Sequence, residues 1–155
     1  MSPCIVVIGA GNLLASDDGI GPRVIERLQT LAPAGVECID AATDIGSVYP
    51  PVLTAERVII VDAICAGGEP GTIYRMTLHE LVARSLDRPM QLSMHDMGLV
   101  EAVNIARMTG AKLPPTIVLG MEPAEVGLGT ELSPVVRDRL DALVSKVIEE
   151  IERTI

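Results

Sequence analysis

The sequence predicts an α/β fold: a three-layer α/β/α sandwich around a mostly parallel, twisted sheet. Three observations predict it. Ile5-Val6-Val7-Ile8 and Val58-Ile59-Ile60-Val61 are continuous β-branched runs without polar alternation. Such runs mark strands covered on both faces, the habit of parallel sheets. Apolar stripes at helical spacing alternate with these runs, as in Val24, Ile25 and Leu28. Strands alternating with helices imply parallel pairing through crossovers. Finally, the 155 residues contain no repeat, linker or second apolar core, so 1–155 reads as one domain.

In chain order, the first strand breaks at Gly9 and Gly11, where the backbone can turn or approach a ligand closely. Asn12 follows, then Asp17-Asp18 and Gly19-Ile20-Gly21-Pro22, with Pro22 suited to the first turn of a helix. Pro33 and Gly35 end that helix, and Val36 to Asp40 reads as a second strand. Residues 45–55 are ambiguous, since Pro50-Pro51 interrupts any helix. Arg57 to Ala63 is a third strand closing on Asp62, and Ala66 to Gly71 is a turn. Thr72 to Met76 forms a fourth strand, and residues 77–88 a short helix and loop. Ser93 begins a helix with Asp96 three residues on, and Leu99, Val103 and Ala106 carry its stripe to Gly110. Thr116 to Met121 is a strand ending in Glu122-Pro123, followed by a loop over 122–132. Ser133 caps the last helix, Pro134 opens it, and Val136, Leu140, Leu143, Val147 and Ile151 face inward to about Arg153. Glu149, Glu150 and Glu152 read as a solvated face.

Composition narrows the function. Hydrophobic residues make up 48%, which excludes disorder. Two Tyr and no Phe or Trp leave no ring platform for sugars or single-stranded nucleic acid. A net charge of −9 repels phosphate backbones, so no nucleic-acid partner is expected. Cys4, Cys38 and Cys65 are widely spaced without a Cys-x-x-Cys pair, which predicts buried thiols in a reducing cytoplasm. No basic-then-apolar leader and no bilayer-length apolar run are evident, so neither export nor a membrane is expected. No apolar helix face is left over, which predicts a monomer.

The candidate chemistry lies where open parallel sheets place it, at the C-terminal strand ends. Asp17 and Asp18 follow the first strand, Asp62 ends the third, and His95 opens a later helix. Two carboxylates and an imidazole suit a divalent transition metal or general acid–base work. Each has a structural alternative: either aspartate of the first pair can cap the first helix, Asp62 can serve a structural hydrogen bond, and a helix-start histidine is often structural. His79 reads as surface; Ala83 stands where a His-Glu-x-x-His zinc helix needs its second histidine. Gly9-Ala10-Gly11 suggests a dinucleotide turn with Asp40 on a ribose, but Leu14 occupies the place of the third glycine. No phosphate-cradling Gly-Lys-Ser/Thr or nucleophile elbow occurs.

Gly9-Ala10-Gly11-Asn12 with Asp17-Asp18-Gly19-Ile20-Gly21 resembles the opening signature of the hydrogenase maturation endopeptidases, which process the large subunit of nickel–iron hydrogenases. Val61-Asp62-Ala63, His95-Asp96-Met97-Gly98-Leu99 and Gly120-Met121-Glu122-Pro123 resemble its later segments, in order. The resemblance implies a phosphorylase/hydrolase-like sandwich and removal of a C-terminal extension from the hydrogenase precursor after nickel insertion. It implies that Asp18, Asp62 and His95 are the catalytic, metal-contacting residues, with Asp17 a stand-in for Asp18. By the same resemblance Asp40 and Thr43 correspond to a substrate-recognition loop, Ala42 replacing its usual glycine, and Gly9 and Asn12 are expected to join them in binding substrate. The nickel is expected to arrive in the precursor, the sole partner, with no intrinsic tightly bound cofactor. Peptide hydrolysis then proceeds either by metal assistance or by an aspartic-type activation of water. The rival functions are a non-catalytic nickel-sensing chaperone of the precursor and a dinucleotide-binding module.

Overall fold

The computed structural model describes residues 5–31, 33–42, 54–87 and 94–153. Their strands form one five-stranded sheet: β1 (Ile5–Ala10), β2 (Val36–Ala42), β3 (Arg57–Ala63), β4 (Ile73–Thr77) and β5 (Thr116–Met121), in the order β2-β1-β3-β5-β4. β1, β2, β3 and β5 are parallel, and β4 runs antiparallel at one edge beside β5. A 3₁₀ turn (Ser16–Gly19) leads into α1 (Ile20–Leu31), and α2 (Leu78–Asp87), α3 (Met94–Thr109) and α4 (Pro134–Glu152) complete the described helices. The mostly parallel α/β sandwich expected from the sequence is therefore the fold observed.

The β-branched runs are buried on both sides because alternate residues feed two cores. Val7, Ile59, Val61 and Leu119 pack with Ile20, Ile25 and Leu28 of α1 and with Leu140, Leu143 and Val147 of α4. Val6, Ile8, Val58, Ile60 and Val118 pack with Leu78 and Val82 of α2 and Val103 of α3. Each such side chain contributes about 1.5–3 kcal/mol on burial. The first helix seats tightly because two glycines face each other: a Cβ on Gly9 would meet the Gly21 carbonyl oxygen at 2.5 Å, and one on Gly21 would overlap the backbone of Ala10.

Three sequence expectations are corrected. Glu150 is not on a solvated face: it is 4% exposed and takes both Nε and Nη2 of Arg75, at 2.9 and 3.0 Å. The antiparallel edge strand brings Arg75 to it, a long-range contact that helix pattern alone does not reveal. Ser133 stands at the N-cap position ahead of Pro134 but makes no side-chain cap bond, because its hydroxyl donates to Asp17 instead. Both aspartates of the Asp17-Asp18 pair sit in the 3₁₀ turn that precedes α1. The thiols are less buried than expected: Cys38 is half-buried and Cys65 exposed. The ambiguous stretch 43–53, the Ser93 cap and Cys4 lie outside the described residues. No helix among the described residues is long and apolar enough to cross a membrane.

Candidate active site

The strand order puts a topological switch between β1 and β3, since the chain leaves β1 toward β2 and returns on its other side as β3. In open α/β sheets the crevice beyond the carboxyl ends of such a strand pair is where ligands sit. Two of the proposed carboxylates flank it. Asp62 is the penultimate residue of β3, 4% exposed, and one of its oxygens accepts the Ala63 amide at 2.8 Å. Alternation from Val58 and Ile60 puts Asp62 on the α2/α3 side of the sheet. Its β5 neighbour is Gly120, which carries no side chain. Asp18 follows β1 in the 3₁₀ turn, half-buried, with Oδ2 accepting the Asn12 amide at 3.2 Å.

The loop between β1 and that turn is shaped by close approach. Gly11 has φ +141°, and a Cβ there would overlap the Asp18 carbonyl oxygen. Asn12 turns the chain by accepting the Leu14 amide on its side-chain oxygen at 2.9 Å. Asp40, exposed at the end of β2, accepts the Ala42 amide at 2.8 Å. The register slips between Gly9 and Ala10, so Ala41 forms a bulge and Ala42 takes φ +49°, the left-handed region. Ala42 in turn accepts the Gly11 amide. Gly9, Asn12 and Asp40 thus lie around the ends of β1 and β2, although the space that a Gly9 side chain would fill is occupied by α1.

His95 belongs to α3, whose C-terminal end leads through Pro114-Pro115 to the other edge of the sheet, where the Pro115 carbonyl accepts the Val58 amide. A helix of 16 residues is about 24 Å long, so its first turn lies toward the C-terminal strand ends, on the Asp62 side. The His95 side chain and Thr43 lie outside the described residues. Among the described residues no three His, Cys, Asp or Glu side chains gather as a metal site.

Sequence reasoning missed the groups that hold this edge together. Asp17 is fully buried and accepts four hydrogen bonds: from the amides of Ala124 and Glu125 at 2.9 Å, and from the Ser133 amide and hydroxyl at 2.7 Å. Both of its oxygens are engaged, and its charge sits against the start of α4, where the helix dipole favours an anion. Asp17 is thereby a staple, and Asp18 is the member of the pair that faces the crevice loop. Glu122, 7% exposed just beyond β5, accepts the amides of Ala66 and Gly67 and the Tyr74 hydroxyl. Burial, and then this bond to Glu122, hold the Tyr74 phenol above its usual pKa. The sequence signal for Glu122 was its place straight after a buried strand, like Asp62. Burial, then the nearby Glu37 charge, raises the Cys38 thiol as well.

A family model described as hydrogenase maturation protease matches residues 22–150. The hydrogenase expression/formation protein HupD of Thiocapsa roseopersicina is 31% identical over 150 residues, spanning 95% of this chain and 67% of that protein. A putative hydrogenase maturation protease of Methanocaldococcus jannaschii is 30% identical over 151 residues, 95% of this chain and 93% of its own. The solved structure of the Escherichia coli hydrogenase maturating endopeptidase HybD superposes with a TM-score of 0.83 at 26% identity, covering 95% of this chain and 91% of that one. The chain belongs to the hydrogenase maturation protease family.

Proposed function

We propose that this endopeptidase removes the C-terminal extension of a nickel–iron hydrogenase large-subunit precursor after nickel insertion, and that it reads the nickel carried by that substrate through Asp18, Asp62 and His95. The observation that carries the reading is the buried Asp62 carboxylate at the end of β3, across the β1/β3 switch from Asp18. Nickel accepts imidazole nitrogen and carboxylate oxygen together, which is the donor set these residues offer. Two carboxylates and a histidine of the protease completing the coordination of a metal already held by the precursor would make cutting conditional on metal loading. Held there, the metal would polarise the scissile carbonyl or acidify a water, and a carboxylate would take the water's proton and return it to the leaving amine. Family membership supports the peptidase chemistry and the hydrogenase precursor as substrate.

The test is incubation with purified precursor, loaded with nickel or nickel-free, read by intact mass. The unsubstituted protein shortens only the loaded form. Asp62→Asn and His95→Ala lower the rate by at least about 100-fold, the scale of losing a general acid–base or metal contact. Unchanged cleavage by both variants removes the site. Equal cleavage of loaded and nickel-free precursor removes the metal-reading step while leaving the protease. Complex formation without shortening would identify a chaperone.

A further inference from the structure

The chain leaving Asp62 is fastened to β5 step by step. Asp62 pairs with Gly120 and Ala63 with Met121. The Ile64 amide then donates to the Met121 carbonyl at 3.0 Å, and the Ile64 side chain fills the space that a Cβ on Gly120 would need. The Ala66 amide donates to Glu122 Oε2 at 2.7 Å and the Gly67 amide to Oε1 at 3.1 Å. The Tyr74 hydroxyl, from β4, donates to Oε2 at 3.0 Å. The Glu122 backbone closes the junction: its amide donates to the Thr72 carbonyl and its carbonyl accepts the Gly71 amide, both at 2.8 Å. Ile64, Ala66 and Tyr74 all pack into the core on the α2/α3 side, the side on which Asp62 stands. One carboxylate thus ties the exit of β3, the end of β5 and the entry of β4 on that side of the sheet.

We propose that Glu122 is a positioning residue for the cleavage reaction: by holding the turn at Ala66 and Gly67 it fixes the exit of β3, and with it the Ala63 amide that orients the Asp62 carboxylate. The proposal rests on the function given above, in which Asp62 does the chemistry. The Ala63 amide donates to Asp62 at 2.8 Å, and only Ile64 and Cys65 separate it from the amides that Glu122 holds. Slack in the turn therefore reaches the strand end. The turn has little stiffness of its own, since Gly67 takes φ +82° and Gly68 follows it. Glutamine cannot take over the task. A carboxylate offers two acceptor oxygens to the donors gathered here, whereas a primary amide offers one and sets its own N–H groups against a backbone N–H. Placement matters because a shift of about 1 Å in a reacting group can cost roughly 100-fold in rate.

Glu122→Gln and Tyr74→Phe test this against Glu150→Gln, whose carboxylate lies at the opposite edge and pairs with Arg75. In precursor cleavage followed by intact mass, Glu122→Gln should lower kcat about tenfold or more and leave KM within about twofold, the pattern of a group misplaced for the transition state alone. Tyr74→Phe removes one donor and leaves both amides held, so its loss in kcat should be smaller, about threefold. Glu150→Gln should keep kcat, which separates misplacement from general destabilisation. Amide hydrogen exchange reads the positioning step itself: protection of the Ala63 amide should fall in Glu122→Gln and hold in Glu150→Gln. Unchanged kcat in a folded Glu122→Gln protein, or lost kcat with Ala63 protection intact, would overturn the proposal. If Glu122→Gln does not fold, Tyr74→Phe carries the same two readings, and unchanged kcat and protection there would overturn it. Failure of the unsubstituted protein to shorten the precursor would instead overturn the proposed reaction, and exchange at Ala63 would still decide whether Glu122 holds the exit of β3.

Discussion

The two edges of the sheet handle buried charge differently. At the C-terminal edge, Asp17 and Glu122 are neutralised mainly by backbone amides: Ala124, Glu125 and Ser133 for one, Ala66 and Gly67 for the other. Toward the opposite edge the partners are guanidinium groups. Glu150 takes Arg75 two-fold, and Arg57 donates from Nη2 to the Ile151 carbonyl at 3.0 Å. A cavity of about 350 Å³ also opens there, between Leu78, Val82, Val103 and Leu113. It is the wrong place for the chemistry, because it lies at the amino ends of β3 and β5 and shares no residue with the Asp18–Asp62 crevice. A carboxylate that gathers amides fixes the path of a loop, whereas one that pairs with arginine ties a helix to a strand. The first arrangement holds the fold and the loops beside the candidate site together, whereas the second holds the fold alone, and substitutions at each edge should separate the two.

Asp17→Ala should have the largest effect. It strands three backbone amides and a serine hydroxyl that the carboxylate now satisfies, at the start of α4 and across the 124–125 loop. Each unsatisfied buried donor costs on the order of 1–3 kcal/mol, and partial access of water to the loop reduces the sum. We expect a loss of about 3–5 kcal/mol in urea unfolding, the range of the most disruptive single changes. Precursor cleavage should fall with it even where the protein is still folded, since Asp18 adjoins the staple. Full cleavage by a destabilised but folded Asp17→Ala protein would break the link between the stapled edge and the site.

Glu150→Gln should lower stability by less and leave cleavage unchanged. The Glu150 side chain is 5% exposed, but Arg75 is 42% exposed, so the several kcal/mol of a wholly buried pair must be discounted to about 2 kcal/mol. The hydrogen bonds from Arg75, opposed by burial and helped by the charges of Arg75, Arg153 and Arg57, hold the Glu150 carboxyl below its usual value near 4.5. A depressed carboxyl contributes stability that is fully present above the unfolded value and is lost as pH falls through the folded one. The gap in unfolding free energy between Glu150→Gln and the unsubstituted protein should therefore be constant from pH 7 down to about 5 and close below about 4.5. A gap that persists at pH 3 would mean that packing, not the ion pair, is what Glu150 supplies.

The sequence made legible what depends on neighbours along the chain. Ile5–Ile8, Arg57–Ala63 and Thr116–Met121 read as buried strands because β-branched runs leave no solvent face, and each emerges as one. Asp62 was legible for the same reason, as a carboxylate ending such a run. Asp17 was not, because its partners lie more than a hundred residues away, and beside Asp18 the two look equivalent. Glu150 left a signal that its acidic surroundings obscured. Val136, Leu140, Leu143 and Val147 step by four, three and four, and the next step of three lands on Glu150, which is on the buried stripe. The edge position of β4 was equally hidden, since a five-residue strand carries no mark of its direction.

The smallest expected effect concerns the bulge at the end of β2, which belongs to the amide-tied edge. Ala42 sits at φ +49°, with its own amide tied to Asp40 and its carbonyl taking the Gly11 amide. A left-handed alanine is strained by roughly 1–2 kcal/mol relative to glycine, and the extra freedom of glycine in the unfolded chain offsets about half of that. Ala42→Gly should therefore stabilise the protein by about 0.5–1 kcal/mol, an uncommon sign for an alanine-to-glycine change. The bonds to Asp40 and Gly11 use only backbone atoms of residue 42, so they survive the substitution, and cleavage should be retained. A fall in stability would show that the bulge relaxes out of the left-handed region in solution and that the end of β2 is less firmly held than the Asp17 loops. A rise in stability with loss of cleavage would show instead that the strain itself positions the Asp40 side of the crevice.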